Sequence, residues 1–363
     1  MRSLKLHLNS QHNTSDLFLL TAVGTIVLIG LIAVFSVSSL QGYRQFNDVY
    51  FYIKQQMLWV LVGTLALIFL SKFDYHKLRI FAGPIFLLAL ILLLAVFIPG
   101  LGIEAGGASR WLKIGSLTIQ PTEILKLASV LWLSVVYEKG IKLKHIVLLL
   151  GVIFFLISFL QKDLGSAFVL ISILISIYLI AGGSFLKVFF VVPPIIISFI
   201  LLVLTSEYRK KRVLAFFDPF SDTQGFTYHI SQALIALGSG GLFGVGIGGS
   251  RQKYFIPEVT TDSIFAVFAE EVGFVGGVFL IMLFAFVIIR GFKIAEKCTD
   301  NFGKILAGGL TCWIGFQIII NLAAMVALVP LTGVPLPFVS YGGSALVANL
   351  AAVGILLNIS KNQ

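Results

Sequence analysis

The chain has 363 residues, of which 58% are hydrophobic and only 12% charged, and its mean hydropathy is +1.02. These values exclude an ordinary soluble domain and define an all-α polytopic integral membrane protein. The formal net charge of +10 does not imply a nucleic-acid partner, because the basic residues fall in small groups between apolar runs, as topology signals do.

The first apolar run, residues 17–39, is long enough to cross a bilayer of roughly 30 Å and too long for a signal-peptide core. Further spans are predicted at 56–70, 80–98, 122–136, 145–160, 166–181 and 185–205. After a long polar interval come 264–289, 305–328 and 341–359, which gives about ten transmembrane helices with both ends on one side. Lysine and arginine are concentrated in the loops around Lys72, Lys77, Arg79, Lys139, Lys142, Lys144, Lys187, Arg290, Lys293, Lys297, Lys304 and Lys361, with Arg2 and Lys5 at the N-terminus. The opposite loops carry Arg44, Lys54, Arg110, Lys113 and Lys162. That bias predicts both termini in the cytosol and leaves residues 100–120, 161–165, 206–262 and 329–340 outside. No linker, repeat or low-complexity segment divides the chain, so a single domain over 1–363 is expected. Cys298 and Cys312 form no metal or disulfide pattern.

The long extracytoplasmic loop, about 206–262, is of a length that is usually functional. Within it, Ile230, Ala233, Leu234 and Leu237 have the spacing of one helix face over 228–238. Pro193 and Pro194 interrupt the span before it, as a static kink or as a hinge. The stretch GSGGLFGVGIGGSRQKYFIPEVTTDSIFAV (238–267) then sets glycines, Arg251, Lys253, Glu258 and Asp262 against the start of an apolar run. Gly244, Gly246 and Gly249 match G-x-G-x-x-G only formally, because no strand precedes them. The glycines serve either tight packing of the loop or close approach of a substrate.

Asp262 sits at the mouth of the eighth span. A carboxylate half removed from water has a raised pKa and is suited to act as a general base or to bind a cation; an aspartate at a helix start is equally an N-cap. Glu123 and Lys126, three residues apart, share a helix face inside a span, where charges mark a functional interior or simply pair with each other. Asp163 lies in a short turn. The basic run Arg209–Arg212 suits phosphate or lipid headgroups, or is a solvated helix end. Glu270 and Glu271 fall within the eighth span without an evident role. Together, Glu123, Asp163, Glu258 and Asp262 and the cations Arg110, Lys126, Arg251 and Lys253 map to one membrane face. The pattern fits chemistry on a phosphate-linked, lipid-anchored molecule, and it also fits a transporter gate.

Several blocks resemble the SEDS family, which includes FtsW, RodA and SpoVE. They are GGASRWLKIG (106–115), QPTEILKLA (120–128), QKDLGSA (161–167), RVLAFFDPFSD (212–222), SGGLFGVGIGGSRQKYFIPEVTTDSIFAVFAEEVGF (239–274) and PLTGVPLPFVSYGGSALVANLAAVGILLNIS (330–360). The resemblance implies a peptidoglycan glycosyltransferase that polymerises lipid II through β-1,4 bonds and releases undecaprenyl diphosphate at the outer face of the bacterial cytoplasmic membrane. It places the family's essential aspartate on Asp262, as base toward the acceptor 4-hydroxyl or as ligand of a divalent cation, Mg²⁺ or Mn²⁺. Because the donor is α-linked and the product β-linked, a direct inverting displacement is expected. Glu123, Lys126, Asp163, Arg110 and Trp111 carry over from family motifs, as do Gln317, Asn321, Pro335, Pro337, Ser340, Gly342 and Gly343 from the late ones. The G-x-G-x-S-R-Q-K run is more similar to FtsW and SpoVE than to RodA, which implies a role in cell division, with divisome proteins and a class B penicillin-binding protein as partners. The alternatives are RodA-like wall elongation and a lipid II flippase. Ser263 stands where the family usually has phenylalanine, Lys162 where proline is usual, His229 where glutamine is common, and Thr122 where serine is frequent.

Overall fold

A computed structural model describes residues 16–362 apart from 106–107, 116, 139, 141–146, 148–150 and 223–224. The expected start of the fifth span and the charges at Arg2, Lys5, Lys139, Lys142 and Lys144 lie outside the described residues.

The first four helices are α1 (Leu17–Phe46), α2 (Phe51–Lys72), α3 (Leu78–Ala95) and α4 (Pro121–Glu138). A short helix, α5 (Gly151–Leu160), is followed by α6 (Leu164–Ile180), α7 (Phe185–Leu204), α8 (Glu207–Phe217) and α9 (Tyr228–Ser239). The chain closes with α10 (Ile264–Lys297), α11 (Asn301–Met325) and α12 (Gly343–Lys361). Among the described residues, seven helices are long and apolar enough to cross a membrane: α1, α2, α3 with the turn before it, α7, α10, α11 and α12. α4, α5 and α6 match the remaining expected spans; α5 and α6 are short, and α4 carries Glu123, Lys126 and Glu138. α9 coincides with the helix read from the spacing at 228–238.

Burial orders the helices from the inside outwards. The apolar window of α12 is 89% buried and that of α11 78%, against 17% for α2 and 6% for α7. α11 packs against α10, α6 and α4, and α12 against α2. Exposed apolar side chains such as Phe18, Phe189 and Phe190 need no partner where the solvent is hydrocarbon. Between helices the driving force is close van der Waals packing. Thus a Cβ on Gly354 of α12 would stand 2.6 Å from the Leu67 carbonyl oxygen of α2. α7 remains one helix through Pro193 and Pro194.

One end of the bundle is tied together by charges at helix termini. Asp16 caps α1 by accepting from the Leu19 N–H at 3.0 Å and pairs with Arg290 at 2.5 Å. Asp300 caps α11 through the Gly303 N–H at 3.0 Å and receives Arg79 at 3.1 Å. The other end carries the long loops. Residues 100–120, expected as an outer loop, contain an antiparallel sheet of order β1-β2-β3: β1 (Gly102–Ala105), β2 (Ala108–Ile114) and β3 (Leu117–Ile119). Its register sets Ile103 against Trp111 and Leu112 against Ile119. Strands this short leave too few alternations for periodicity to be read from sequence.

The eighth span departs most from expectation. α10 is broken at Gly273, whose φ of 75° and ψ of −174° are not helical. The glycine-rich loop fills the break. Val245 and Gly246 donate their N–H groups to the carbonyls of Glu270 and Glu271 at 3.0 Å each, while Phe274 and Val275 donate to Gly241 and Leu242 at 2.8 and 3.1 Å. Backbone groups freed by a helix break must find partners at membrane depth, and the loop supplies them. A Cβ on Gly244, which also has φ +79°, would collide with the Glu271 carbonyl. Packing accounts for this glycine.

Candidate active site

At the loop-bearing end, Asp262 precedes α10 by two residues. The N-cap position belongs to Ser263, which makes no side-chain cap bond, so the capping role for Asp262 is not what the fold uses. Two neighbours fix its backbone. Asn321 Nδ2 donates to the Asp262 carbonyl at 2.9 Å and to the Val334 carbonyl at 2.8 Å. Ser340 Oγ donates to the Thr261 carbonyl at 2.5 Å while accepting from the Leu336 N–H at 2.8 Å. Ser340 is thereby a clip between the 330–341 loop and the segment entering α10. The carboxylate faces Gly333, where a Cβ would lie 3.4 Å from Oδ2.

Burial pushes the Asp262 pKa up to about 6; Arg212 opposes the rise, Glu258 and Asp163 add to it, and Arg110 again opposes it. Loss of water disfavours the charged carboxylate and the surrounding charges partly cancel. The aspartate is thus poised to exchange a proton near neutral pH.

Three predicted residues gather around it. Arg110, on β2, donates from Nε to the Gln161 carbonyl at 3.2 Å and from Nη2 to the Lys162 carbonyl at 2.6 Å, which ties the sheet to the α5–α6 turn. Asp163 caps α6, accepting from the Ser166 N–H at 3.0 Å and its hydroxyl at 2.8 Å. Glu258 is exposed and sits at φ +49°, a conformation costly for a residue with a Cβ.

Other candidates are placed differently. Glu123 and Lys126 form an ion pair of 2.7 Å, both fully buried inside α4; neither is among the charges that act on Asp262. Glu123 Oε2 is buried without a hydrogen-bond partner among the described residues. Lys253 donates to the Gly248 carbonyl at 2.8 Å and lies 3.8 Å from Glu271. The Arg251 side chain is exposed, and the residue's backbone N–H donates to Glu270 Oε1 at 3.1 Å. Glu270 also accepts from Ser250 Oγ and from the Gln252 N–H, and Glu271 accepts from Ser36 of α1 at 2.5 Å. The two carboxylates without an evident role therefore hold the 250–253 turn and α1 to α10.

Arg212 exerts the strongest pull of the charges acting on Asp262, yet in the sequence it is only one member of a basic run. The structure separates the run. Arg209 donates to the Ser158 and Leu202 carbonyls at 2.9 and 3.1 Å, and Lys210 pairs with Glu207 at 2.9 Å. Arg212 reaches the Leu331 carbonyl at 3.3 Å. His229, whose sequence signal is only its difference from the glutamine that the family resemblance implies, also comes to this site. Its Nε2 lies 2.5 Å from Ser263 Oγ, next to Asp262, and burial, aided by Arg212, lowers its pKa to about 4.

Among the described residues, no group of three or more His, Cys, Asp or Glu side chains could hold a metal ion. The donor set fits a cation shared with a phosphate ligand, since Mg²⁺ is commonly held by one or two carboxylates, water and phosphate oxygens.

Such a bundle, with a half-buried carboxylate and arginines collected at one end, defines a helical integral membrane protein. The family model named for FtsW, RodA and SpoVE, described as "Cell cycle protein", matches residues 16–363, and the chain belongs to that family. It is 37% identical to Stage V sporulation protein E of Bacillus subtilis over 98% of this chain and 99% of the relative. It is 36% identical to a probable peptidoglycan glycosyltransferase FtsW of Geobacter sp. over 96% and 97%. A solved chain from a study of polymerisation and crosslinking by a peptidoglycan synthase complex superposes with a TM-score of 0.78 at 27% identity, covering 96% of this chain and 98% of that one. The rod shape determining protein RodA of Thermus thermophilus gives 0.69 at 27% identity, over 96% and 97%.

Proposed function

We propose that this protein is a peptidoglycan glycosyltransferase that polymerises lipid II at the outer face of the bacterial cytoplasmic membrane. The observation that carries the reading is the Asp262 carboxylate, pushed up to about 6 by burial and set in the field of Arg212 and Arg110. A base near neutral pH beside fixed cations is what transfer of a sugar from a diphosphate requires.

Ionised Asp262 accepts the proton of the acceptor 4-hydroxyl. The oxygen attacks C1 of the donor sugar from the face opposite the diphosphate, and the C1–O bond to the diphosphate breaks. The α-linked donor becomes a β-1,4-linked product, and undecaprenyl diphosphate departs with the bonding pair. Arg212 and Arg110 stabilise the negative charge that develops on the leaving oxygens. In the alternative role, Asp262 would hold a divalent cation, Mg²⁺ or Mn²⁺, in place of acting as the base, and the ion would neutralise leaving-group charge. Asp163 and Ser340 position the loops, and Glu258 and Lys253 line the approach. Glu123 and Lys126 act from within the bundle, as a buried pair that braces α4, and Arg251 presents an exposed cation on the loop.

The identity to relatives named FtsW and Stage V sporulation protein E supports the division branch over elongation. The likeness to a chain from a peptidoglycan synthase complex supports a partnership with a class B penicillin-binding protein, with divisome proteins completing the assembly. Orientation with both termini in the cytosol follows from the lysine and arginine bias. The test is purified protein with lipid II. Glycan polymer is expected from the wild type and none from Asp262→Asn; polymer from that variant at the wild-type rate overturns the role given to Asp262.

A further inference from the structure

Two cavities lie on either side of the segment that leads into Asp262, one lined by Glu258–Thr260 and the other by His229 and Arg212, and their linings differ in kind. One, of about 360 Å³, lies on the 258–260 side and is lined by Gln41, Gln45, Arg44, Lys253, Glu258 and Thr260, among others. Amides, hydroxyls and both signs of charge suit a hydroxyl-rich sugar. The other, of about 200 Å³, lies on the side of Arg212 and His229. It combines Lys211 and Arg212 with an apolar wall that includes Phe216, Phe226 and Leu331. Two cations on a greasy wall suit an amphiphilic anion.

The second cavity is also placed for a lipid. α8, which supplies Lys211, Arg212 and Phe216, packs on α7, the span with the least buried surface. Leu214 and Phe217 of α8 are themselves 58% and 76% exposed. Within the basic run, Arg209 donates to carbonyls and Lys210 pairs with Glu207; Lys211 and Arg212 line the cavity, Arg212 while also donating to the Leu331 carbonyl at 3.3 Å. His229, which also lines the cavity, lies 2.5 Å from Ser263 Oγ, the residue next to Asp262, so a diphosphate here stands near the general base.

We propose that this cavity seats the prenyl diphosphate leaving group, with Lys211 and Arg212 on the diphosphate and Phe216, Phe226 and Leu331 on the first prenyl units. The assignment rests on the polymerase reading above and adds to it the place where donor lipid and product lipid are held. The larger polar cavity is left to the glycan. At 200 Å³ the second cavity is smaller than the roughly 300 Å³ at which whole drug-sized ligands begin to fit, in keeping with a head group and the start of a tail.

The test uses the full-length protein in detergent with farnesyl diphosphate as probe, read by direct binding and by inhibition of lipid II polymerisation. Lys211→Gln is expected to weaken the probe by about tenfold, the scale of one charge-assisted hydrogen bond. Phe226→Ser should weaken farnesyl diphosphate by about tenfold through lost apolar contact while leaving inorganic pyrophosphate unchanged. Lys187→Gln, the same charge change at the far end of α7, should alter neither. Unchanged farnesyl diphosphate affinity in both Lys211→Gln and Phe226→Ser, with lipid II still polymerised, overturns the subsite and leaves the polymerase reading standing. Phosphatidylglycerol competing as well as farnesyl diphosphate overturns it too, in favour of a general anionic-lipid seat. Variant-sensitive binding without any polymerisation supports the subsite and overturns the polymerase reading instead.

Discussion

His229 Nε2 and Ser263 Oγ lie 2.5 Å apart, joining α9 to the residue that follows Asp262. The family resemblance implies glutamine and phenylalanine at these two positions, and in this chain both differ. Ser263 is fully buried, so a phenylalanine there needs the space that the imidazole now occupies. We expect Ser263→Phe alone to lower polymerisation by about tenfold, and Ser263→Phe with His229→Gln to recover most of it, within the coupling usual for touching residues. Steady-state rates for the four variants give the coupling. Additive losses would show that the two positions act independently.

Asp262 makes activity depend on pH in a stated direction. With its pKa raised to about 6, the base is ionised above that value and protonated below it, so the rate should fall as the pH drops through 6. Stability runs the other way. Below the ordinary carboxylate value of 3.8 the group is protonated whether the chain is folded or not. Between there and 6 the folded form holds the proton that the unfolded form releases, and stability is lost as pH rises. Asp262→Asn removes that loss. It is expected to abolish activity and to raise stability at pH 7.5 by at most about 3 kcal/mol, with the gain closing near pH 4. Melting curves at the two pH values decide it.

Hydropathy exposed the spans because a bilayer demands long apolar runs, and α9 was legible because four apolar residues mark one face. Asp262, Asp163 and Arg110 were legible as charges beside spans. The break in α10 was not, because Gly273 sits in an apolar run whose hydropathy is the same whether or not the helix is continuous. Arg212 was hidden for another reason: its role depends on the 330–341 loop returning to within 3.3 Å, a contact between residues 119 apart. Glu270 and Glu271 gave a visible signal, carboxylates inside an apolar helix, but their partners at 250–253 and Ser36 come from tertiary folding alone.

The Glu123–Lys126 pair is fully buried, so its two halves are not equivalent to two surface charges. Removing one partner leaves the other unpaired in a low-dielectric interior, at a cost of about 3–5 kcal/mol. Lys126→Met is therefore expected to lower thermal stability sharply and to reduce folded yield. Glu123→Gln with Lys126→Met removes both charges and should fold nearly as well as the wild type. Polymerisation by the folded double variant then separates the roles: a rate near the wild type's assigns the pair to the fold, and a rate lowered by an order of magnitude or more assigns it to the substrate.

Gly244 should be the least replaceable glycine of the loop, and Gly238 among the most. At Gly244 the backbone has φ +79° and a Cβ would meet the Glu271 carbonyl, where the loop and the broken helix exchange hydrogen bonds. Gly244→Ala therefore combines backbone strain with displacement of the loop from α10, and a loss of about 2–4 kcal/mol is expected. At Gly238, inside α9, nothing lies within 4 Å of a Cβ, and alanine favours a helix by about 0.5–1 kcal/mol. The measurement is thermal unfolding in detergent, with protease sensitivity of residues 240–255 as a second readout. Loss of protection there in Gly244→Ala, with the Gly238→Ala chain resistant, is the expected pattern. Equal protection in both would mean that the loop's seat in the α10 break does not depend on the close approach at Gly244.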